Sequence, residues 1–323
     1  MQAFPRLSSA TARPSILRWT IGNSEEYPIP PTGAQSARQR VASMSVTVKY
    51  RGRIAIITLN VPAKLNALTS EGYFLLADCM RTVANDPEIV VTVLTGSGRL
   101  FSAGADIQQT GSRNTNGQPS TPPIQQEAPP TQSAPFRQTQ LRSLAHIIEV
   151  TEAFYTHPKL LVTALNGPCV GLSAALVAYS DFIYAMPHVC LFCPFTSLGI
   201  TAEGGSTALF SRRMGFKVAA EALIMSKRIQ CEELVRCGFI NEVFDTGKDV
   251  DQFLDRVLAE VETRLFSKLN PSSMLHVKAL MRKPEIPLFA SQTIEETMGV
   301  VDSLARAART AHRAKEGKKG ARL

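Results

Sequence analysis

The sequence predicts an α/β fold in which a core of alternating strands and helices is followed by a helical C-terminal region. In the first part of the chain, buried-strand patterns at 54–60 and 90–96 flank an amphipathic helical pattern at 70–83. From residue 206 onward the periodicity is mainly helical, with one short strand pattern at 239–244. Early alternation and late helices are typical of an α/β core with an added helical region.

The same periodicities predict the other elements, beginning with a β-like segment directly after Met44. In the core we expect a helix at 141–155, a strand at 160–165, a short helix at 171–180, and strands at 182–186 and 189–195. In the C-terminal part we expect helices at 206–214, 217–226, 231–237, 251–265, 271–281 and 293–311.

Composition divides the chain into four segments. Residues 1–45 are rich in Ser, Arg, Pro and Ala, which predicts a targeting peptide or a disordered extension. Residues 46–245 form the predicted core, residues 246–311 a helical C-terminal region, and residues 312–323 a basic tail. Within the core, the Gln, Thr, Ser, Pro and Gly of residues 108–137 predict a long low-complexity insertion loop.

The formal net charge of +8 is concentrated in the two tails. Residues 1–45 hold five arginines against two glutamates, and residues 306–323 hold seven basic residues against one glutamate. The segment between them is therefore close to neutral, and no nucleic-acid partner is expected. No membrane span is expected either, because Asn, Gly, Pro and Asp interrupt the apolar stretch at 160–186, whereas a span needs about 20 apolar residues in succession.

The cysteines and histidines predict no metal or disulfide chemistry. Six cysteines scattered over 323 residues do not form a disulfide framework, which favours a reducing compartment. Cys190 and Cys193 form a CxxC in an apolar strand pattern without a second ligand pair, so we interpret them as core residues. The five histidines share no spacing typical of metal ligands.

Two glycine-containing loops are candidate binding sites for a substrate oxygen. The first glycine loop, 101–107 (FSAGADI), follows a strand and offers small residues through which a ligand can approach the backbone. The second glycine loop, 166–172 (NGPCVGL), leads from a strand into a helix, whose first N–H groups favour an anion. Two amides that converge on one oxygen form an oxyanion hole.

These loops, together with NVPAKLNAL at 60–68 and ALNGPCVGLSAALVAYSDFIYA at 164–185, resemble the crotonase, or enoyl-CoA hydratase/isomerase, superfamily. The resemblance covers about residues 46–290 and implies a crotonase-like spiral of ββα repeats with a helical C-terminal oligomerisation region. It implies an acyl-CoA substrate whose thioester carbonyl is held by the backbone N–H groups of Ala105 and Leu172. It also implies that CoA and substrate are bound along Ala63, Lys64, Leu68, Ala103, Gly104, Asp106, Ile107 and Gly171.

Within this family, the residues favour an isomerase over a hydratase. Hydratases use two glutamates, and aligning the family pattern places Ala175 and Phe195 at those positions, so efficient hydration is disfavoured. The string TAEGGST at 201–207 carries a different carboxylate, Glu203, and resembles the fungal peroxisomal Δ3,Δ2-enoyl-CoA isomerases. That resemblance implies one catalytic base, Glu203, whose pKa is raised by an apolar setting to which Phe195, Leu198 and Ile200 contribute.

Several alternatives stay open. Taken alone, Glu203 is better interpreted as a residue that stabilises the following helix through its dipole, and only the two loops and the replaced hydratase acids favour catalysis. Lys64 either meets a CoA phosphate or is a solvated surface lysine. Lys278 and Lys283 are further candidate cations for that phosphate. A dienoyl-CoA isomerase, a residual hydratase and a non-catalytic acyl-CoA-binding or scaffold protein are the other functions considered.

The resemblance also suggests partners and a location. A homotrimer or a pair of trimers is expected, and no cofactor beyond the CoA of the substrate. The C-terminal residues Ala321, Arg322 and Leu323 fit the small-basic-leucine pattern of a peroxisomal import signal, which predicts an import receptor as partner. The N-terminal composition favours a mitochondrial location instead.

Overall fold

The structure is a computed structural model that describes residues 45–106 and 134–320, with side chains for all of these except 134–144, 308, 309 and 311–320. Within these residues the strands are β1 Val46–Arg51, β2 Ile54–Leu59, β3 Val91–Gly96, β4 Leu160–Leu165, β5 Cys169–Val170, β6 Phe182–Ala185, β7 Cys190–Phe192, β8 Ile229–Gln230 and β9 Glu242–Val243. The α-helices are α1 Ser70–Ala84, α2 Ala134–Tyr155, α3 Gly171–Val177, α4 Ser206–Leu223, α5 Cys231–Arg236, α6 Val250–Val261, α7 Pro271–Arg282 and α8 Ile286–Gly320.

The main sheet has six strands in the order β1-β2-β3-β4-β6-β9. The β1 strand runs antiparallel to β2, and every later neighbour is parallel, in a register that places Ile54 beside Val91 and Val91 beside Leu160. A smaller sheet has the order β5-β7-β8. The predicted α/β class with C-terminal helices is therefore confirmed.

The central strands are buried on both faces, which explains their uninterrupted apolar character. Every residue of β3 and of β4 is buried, as expected for parallel strands covered by helices on both sides. The polar side chains of these strands are hydrogen-bonded: the Thr95 hydroxyl donates to the carbonyl of Ala164 on β4 at 3.0 Å, and the hydroxyls of Thr92 and Thr163 bond His157 and Ser180 outside the sheet. Because β3 and β4 are parallel, their carboxyl ends at Gly96 and Leu165 lie at the same edge of the sheet, so both glycine loops begin there.

Several helix starts follow local sequence. The Thr69 hydroxyl accepts from the amide of Gly72 at the start of α1. Asp249 and Asn270 cap α6 and α7 by accepting from the amides of Gln252 and Ser273. Such caps satisfy amides that have no partner within the helix.

The helices predicted at 206–214 and 217–226 are confirmed as two helical parts of α4, which the non-helical backbone of Gly215 (φ 73°, ψ 155°) separates. Two predicted strands were too long. The strand expected at 239–244 is shortened to β9, Glu242–Val243. The reason is that the amides of Phe239 and Ile240 both donate to Leu234 O and close the preceding helix. The strand expected at 189–195 ends at Phe192, and the chain then turns into a short 3₁₀ helix at Thr196–Leu198.

Two segment boundaries also shift. The α2 helix begins at Ala134, inside the predicted insertion at 108–137, and α8 extends to Gly320, into the predicted basic tail. Residues 1–44, 107–133 and 321–323 lie outside the described residues, so the extension, most of the insertion and the import signal remain predictions. No helix among the described residues is long and apolar enough to cross a membrane.

Candidate functional site

The first glycine loop is held against the sheet edge by a buried asparagine. The Asn66 side chain donates to the carbonyl oxygens of Ser97 and Leu100 at 2.8 and 2.9 Å and accepts from the amide of Val61 at 2.8 Å. Asn66 itself has a positive φ of 56°, a conformation that asparagine tolerates better than most residues. Asn166 bonds the same segment, donating to the carbonyl of Gly98 at 2.7 Å.

The two glycine loops pair with each other through their backbones. The amide of Val170 donates to Ser102 O at 2.9 Å, and the amide of Ser102 donates to Pro168 O at 3.3 Å. Gly104 adopts φ +87°, and a Cβ there would lie 2.8 Å from the carbonyl oxygen of Val170. The close approach of the loops therefore requires glycine at position 104.

Each paired loop carries one of the two backbone N–H groups that the family resemblance assigns to the oxyanion hole. Leu68 N donates to Gly104 O and Asp106 N donates to Leu68 O, so the N–H of Ala105 projects from the other edge of this parallel bridge. Leu172 is the second residue of α3, and N–H groups in the first turn have no partner inside the helix. Ala105 is exposed, whereas Leu172 is buried.

A buried chain of hydroxyls joins the two loops to α1. Ser102 Oγ donates to Asn66 O at 2.8 Å, so it accepts from Ser173 Oγ, also at 2.8 Å. The Tyr73 hydroxyl lies 3.3 Å from Ser173 Oγ and is left as the donor to it. Burial raises the pKa of Tyr73 far above its usual range, so the phenol stays protonated.

Glu203 is a buried carboxyl in the glutamate loop, which we define as residues 201–205. It is 9% exposed, and burial, followed by the nearby charge of Glu296, raises its pKa to about 7. At neutral pH the carboxyl is therefore near the midpoint of its titration and can either accept or donate a proton. The loop packs on α3: a Cβ on Gly204 would lie 2.8 Å from Cδ1 of Leu172 and 3.0 Å from Cβ of Ala175.

The glutamate loop is fixed from two sides. The Tyr179 hydroxyl, just beyond α3, donates to Gly204 O at 3.1 Å. On the other side, Glu296 of α8 accepts from Gly205 N at 2.7 Å and from Thr207 N at 2.9 Å. Gly205 adopts φ +73°, and a Cβ there would overlap the Tyr179 hydroxyl.

The residues predicted to give Glu203 an apolar setting differ in burial. Phe195 is buried and Ile200 is half-buried, but Leu198 is 57% exposed because the 3₁₀ helix turns it outward. Ala175 is fully buried and Phe195 almost so, and neither carries an ionisable group.

The remaining predicted binding residues that the structure describes lie in the two glycine loops or in the segment 63–68. Lys64 is half-exposed and its ammonium bonds Asp106 Oδ2 at 2.8 Å, so it lies at the surface beside Ala105. Ala63 is exposed, Ala103 and Gly171 are half-buried, and Leu68 is buried. Ile107 lies outside the described residues.

Other ionisable residues have structural roles. Lys278 is buried and bonds Asp181 at 2.7 Å and the carbonyl of Lys159, so within this chain it is committed to packing at the opposite, N-terminal end of β4. Asp181 also accepts from the amide of Leu161 at 2.8 Å. Cys190 and Cys193 are buried free thiols, as predicted for core residues. In the parts of the chain that the structure describes, no group of three His, Cys, Asp or Glu side chains could hold a metal.

Sequence reasoning missed Glu296, which is 4% exposed. A signal was present: Thr293, Glu296, Thr297 and Ser303 recur at helical spacing and all lie on the buried face of α8. A polar stripe on a buried face indicates hydrogen bonding to another segment. Here Glu296 and Ser303 reach the glutamate loop, whereas the hydroxyls of Thr293 and Thr297 donate to carbonyls of α8 itself.

The arrangement joins a proton-transfer group to two hydrogen-bond donors. The carboxyl of Glu203 lies in a loop that contacts Leu172, and the backbone of that helix start is paired with the loop of Ala105. A base with a pKa near neutral beside backbone donors suits removal of a proton next to a carbonyl whose oxygen gains charge.

Comparison with known proteins agrees with this geometry. The profile of a family described as enoyl-CoA hydratase/isomerase matches residues 54–319. A Pyricularia oryzae protein named Delta(3,5)-Delta(2,4)-dienoyl-CoA isomerase is 44% identical over 254 residues, covering 77% of this chain and 88% of that protein. The Saccharomyces cerevisiae 3,2-trans-enoyl-CoA isomerase is 32% identical, with 76% and 84% covered.

Two further comparisons extend the similarity. The Mus musculus protein named Enoyl-CoA delta isomerase 3, peroxisomal, is 27% identical over 94% of this chain and 88% of its own length. A crystal structure of an enoyl-CoA hydratase/isomerase from Pseudoalteromonas atlantica matches with a TM-score of 0.67 at 24% identity, covering 85% of this chain and 97% of that one. This structural match shows a shared fold.

Proposed function

The chain belongs to the enoyl-CoA hydratase/isomerase family, and on that premise we propose that it is a Δ3,Δ2-enoyl-CoA isomerase. It converts 3-enoyl-CoA to trans-2-enoyl-CoA in β-oxidation of unsaturated fatty acids. The observation that carries the proposal is Glu203, a buried carboxyl with a pKa of about 7 in a loop that contacts Leu172.

In the proposed reaction one carboxylate moves one proton. Glu203 takes a proton from C2 of the substrate, and the C–H electron pair forms a dienolate whose negative oxygen accepts from the N–H groups of Ala105 and Leu172. The protonated Glu203 then returns the proton to C4, so the double bond moves from C3=C4 to C2=C3. The family's acyl-CoA path runs along Ala63, Lys64, Leu68, Ala103, Gly104, Asp106, Ile107 and Gly171. No cofactor is needed, because no electrons leave the substrate.

Dienoyl-CoA isomerisation is the second candidate, favoured by the name of the 44% identical relative. That reaction moves a proton from C2 to C6, a longer path that suits two acidic groups. Among the described side chains, the other carboxylates nearby are engaged: Glu296 by backbone amides and Asp106 by Lys64. This supports the one-base reaction.

The test is an ultraviolet assay of the full chain with two substrates, a 3-enoyl-CoA and a 3,5-dienoyl-CoA. We expect rapid formation of the conjugated 2-enoyl thioester, at a kcat/KM at least tenfold above that for 2,4-dienoyl formation. A preference for the dienoyl substrate would replace the proposal with the second candidate. Binding of both thioesters without turnover would favour the non-catalytic alternative.

We further propose a homotrimer or a pair of trimers in the peroxisome, imported through Ala321, Arg322 and Leu323. Exposed apolar side chains such as Phe216, at 77% exposure, support an interface between subunits. The peroxisomal name of the mouse relative supports the location. Deleting the three terminal residues should move a fluorescent fusion out of peroxisomes, and an unchanged or mitochondrial pattern would contradict this location.

A further inference from the structure

Glu296 is a buried charged group that the proposed proton transfer does not use. It lies on α8, and its closest polar contacts are 89 and 91 residues earlier in the chain. Its Oε2 accepts from Gly205 N, and its Oε1 accepts from Thr207 N and from Thr207 Oγ1 at 2.5 Å. The amide of Ser206 is also hydrogen-bonded to this carboxylate.

The hydrogen bonds of this carboxylate to Gly205, Ser206 and Thr207 all come from donors. Burial raises the pKa of Glu296 above its usual value, and the hydrogen bonds from Thr207, Gly205 and Ser206 offset only part of that rise. A protonated carboxyl would turn its own O–H toward those donors and lose a hydrogen bond, so the contacts favour the ionised form. The site is also the N-terminus of the first helical part of α4, which runs from residue 206 to the break at Gly215, and a helix N-terminus favours a negative charge.

The same contacts define the position of Glu203. Gly205 is two residues after Glu203, and its amide is held by Glu296 while the preceding carbonyl, of Gly204, accepts from Tyr179. The glutamate loop is therefore held through one donor and one acceptor on consecutive residues. α8 also meets the start of the loop, where a Cβ on Gly299 would lie 2.9 Å from Cγ2 of Thr201.

We propose that Glu296 is a positioning residue: it fixes the loop that carries Glu203 and places a negative charge near that carboxyl. This inference rests on the proposed function for its consequence in catalysis. The physical interaction between the two carboxyls does not depend on which substrate is turned over.

The other titratable groups that face the pair do not compete for this role. Tyr73 of α1 and Cys193, beyond β7, interact with Glu203, and Tyr179 interacts with Glu296. Burial raises the pKa of all three well above neutral, so each is uncharged where Glu203 titrates. Glu296 is thus the ionised group that shapes this titration.

The test compares Glu296→Gln with Thr207→Val in the full chain. The glutamine removes the charge and keeps one acceptor oxygen, whereas the valine removes the hydroxyl bond to Glu296 and keeps the charge. Infrared difference spectra across about pH 5 to 9, with Glu203→Gln as the blank, report the protonated carboxyl of Glu203 without any substrate.

We expect the Glu203 transition near pH 7 in the wild type and in Thr207→Val, and about one pH unit lower in Glu296→Gln, because removal of a like charge favours ionisation. The acid limb of kcat/KM for the substrate that is turned over should move in the same direction. An unmoved transition in Glu296→Gln, or an equal shift in Thr207→Val, would overturn the proposal.

A third variant separates charge from geometry. Glu296→Asp keeps the charge but withdraws it by one methylene from the amides of Gly205 and Thr207. We expect a lower kcat with an acid limb within about 0.3 pH units of the wild type, since the charge remains nearby. If the acid limb of Glu296→Asp lay at a pH as low as that of Glu296→Gln, the proposed role of the Glu296 charge would be contradicted. If 3-enoyl-CoA is not turned over at all, the proposed function fails, while the infrared comparison still decides the role of Glu296.

Discussion

The two glycine loops lie on the edge of the sheet, whereas the glutamate loop lies between α3 and the C-terminal helix α8. The glycine loops continue from β3 and β4 and pair with each other through backbone bonds near Ser102 and Val170. The glutamate loop has no strand partner and is held by Tyr179 and Glu296 instead. The candidate site therefore has two walls. One is formed by the glycine loops at the edge of the sheet, and the other is the glutamate loop, which side chains from distant parts of the sequence hold in place.

This difference has a consequence for function. Hydrogen bonds of the sheet keep the amides of the glycine loops in place before substrate arrives, which is what stabilisation of a developing negative charge requires. The glutamate loop must instead hold a carboxyl out of water, and a contact with α8 both positions the loop and buries it. Variants that weaken one wall should thus have effects distinct from variants that weaken the other.

The largest effect is expected from Gly205→Ala in the glutamate loop. The new Cβ would overlap the buried Tyr179 hydroxyl, and φ is +73°. We expect a loss of about 4 kcal/mol in the free energy of unfolding, since forced shifts in a packed site are among the costliest changes. Denaturant unfolding of the variant and the wild type measures this loss.

The matched control for that change is Gly199→Ala, which has φ +72° and no atom within 4 Å of the new Cβ. It should cost only the strain of a left-handed residue, about 1–2 kcal/mol. Equal losses in the two variants would show that the contact with Tyr179 does not constrain the loop.

Gly104→Ala should disturb the wall formed by the glycine loops. The new Cβ would lie 2.8 Å from Val170 O and push the loops apart, with φ +87°. We expect kcat to fall by about 100- to 1000-fold, comparable to removal of one oxyanion-hole donor, with a smaller change in KM. Steady-state kinetics measure both, and Gly238→Ala, with φ +81° and open space, should retain activity. A kcat within tenfold of the wild type would argue against these amides as the donors.

Asn66→Ala tests how the first glycine loop is anchored. The change leaves the carbonyls of Ser97 and Leu100 without this donor, and we expect a loss of about 3 kcal/mol in stability, because unsatisfied buried groups are costly. Asn270→Ala, which removes an exposed helix cap, should cost about 1 kcal/mol. Thermal and denaturant unfolding measure both losses in stability. Equal losses in the two variants would contradict the role of Asn66 in anchoring this loop.

Tyr179→Phe should have the smallest effect, because it removes only the hydroxyl, which bonds Gly204 O and Thr293, and retains the ring. We expect a stability loss of about 1 kcal/mol and a decrease in kcat of a few-fold. A decrease as large as that of Gly104→Ala would assign Tyr179 a direct part in the reaction.

The two walls also differ in how far sequence predicts them. The strand ends at Gly96 and Leu165 follow from apolar runs, and parallel pairing brings the next loops together, so the glycine loops could be predicted. Glu296 could not be assigned to Gly205, because a contact across 91 residues depends on how α8 packs. The exposure of Leu198 likewise follows from a 3₁₀ turn that apolar periodicity does not reveal.

The central claim, that Glu203 is the one base, is tested most directly by Glu203→Gln measured with a 3-enoyl-CoA across the pH range. In the wild type we expect kcat/KM to rise with pH through about 7, because only the ionised carboxyl can accept the proton. The glutamine variant should bind acyl-CoA but lose about 100-fold or more in kcat at every pH, without the acid limb. Activity within tenfold of the wild type, with the acid limb intact, would contradict the account.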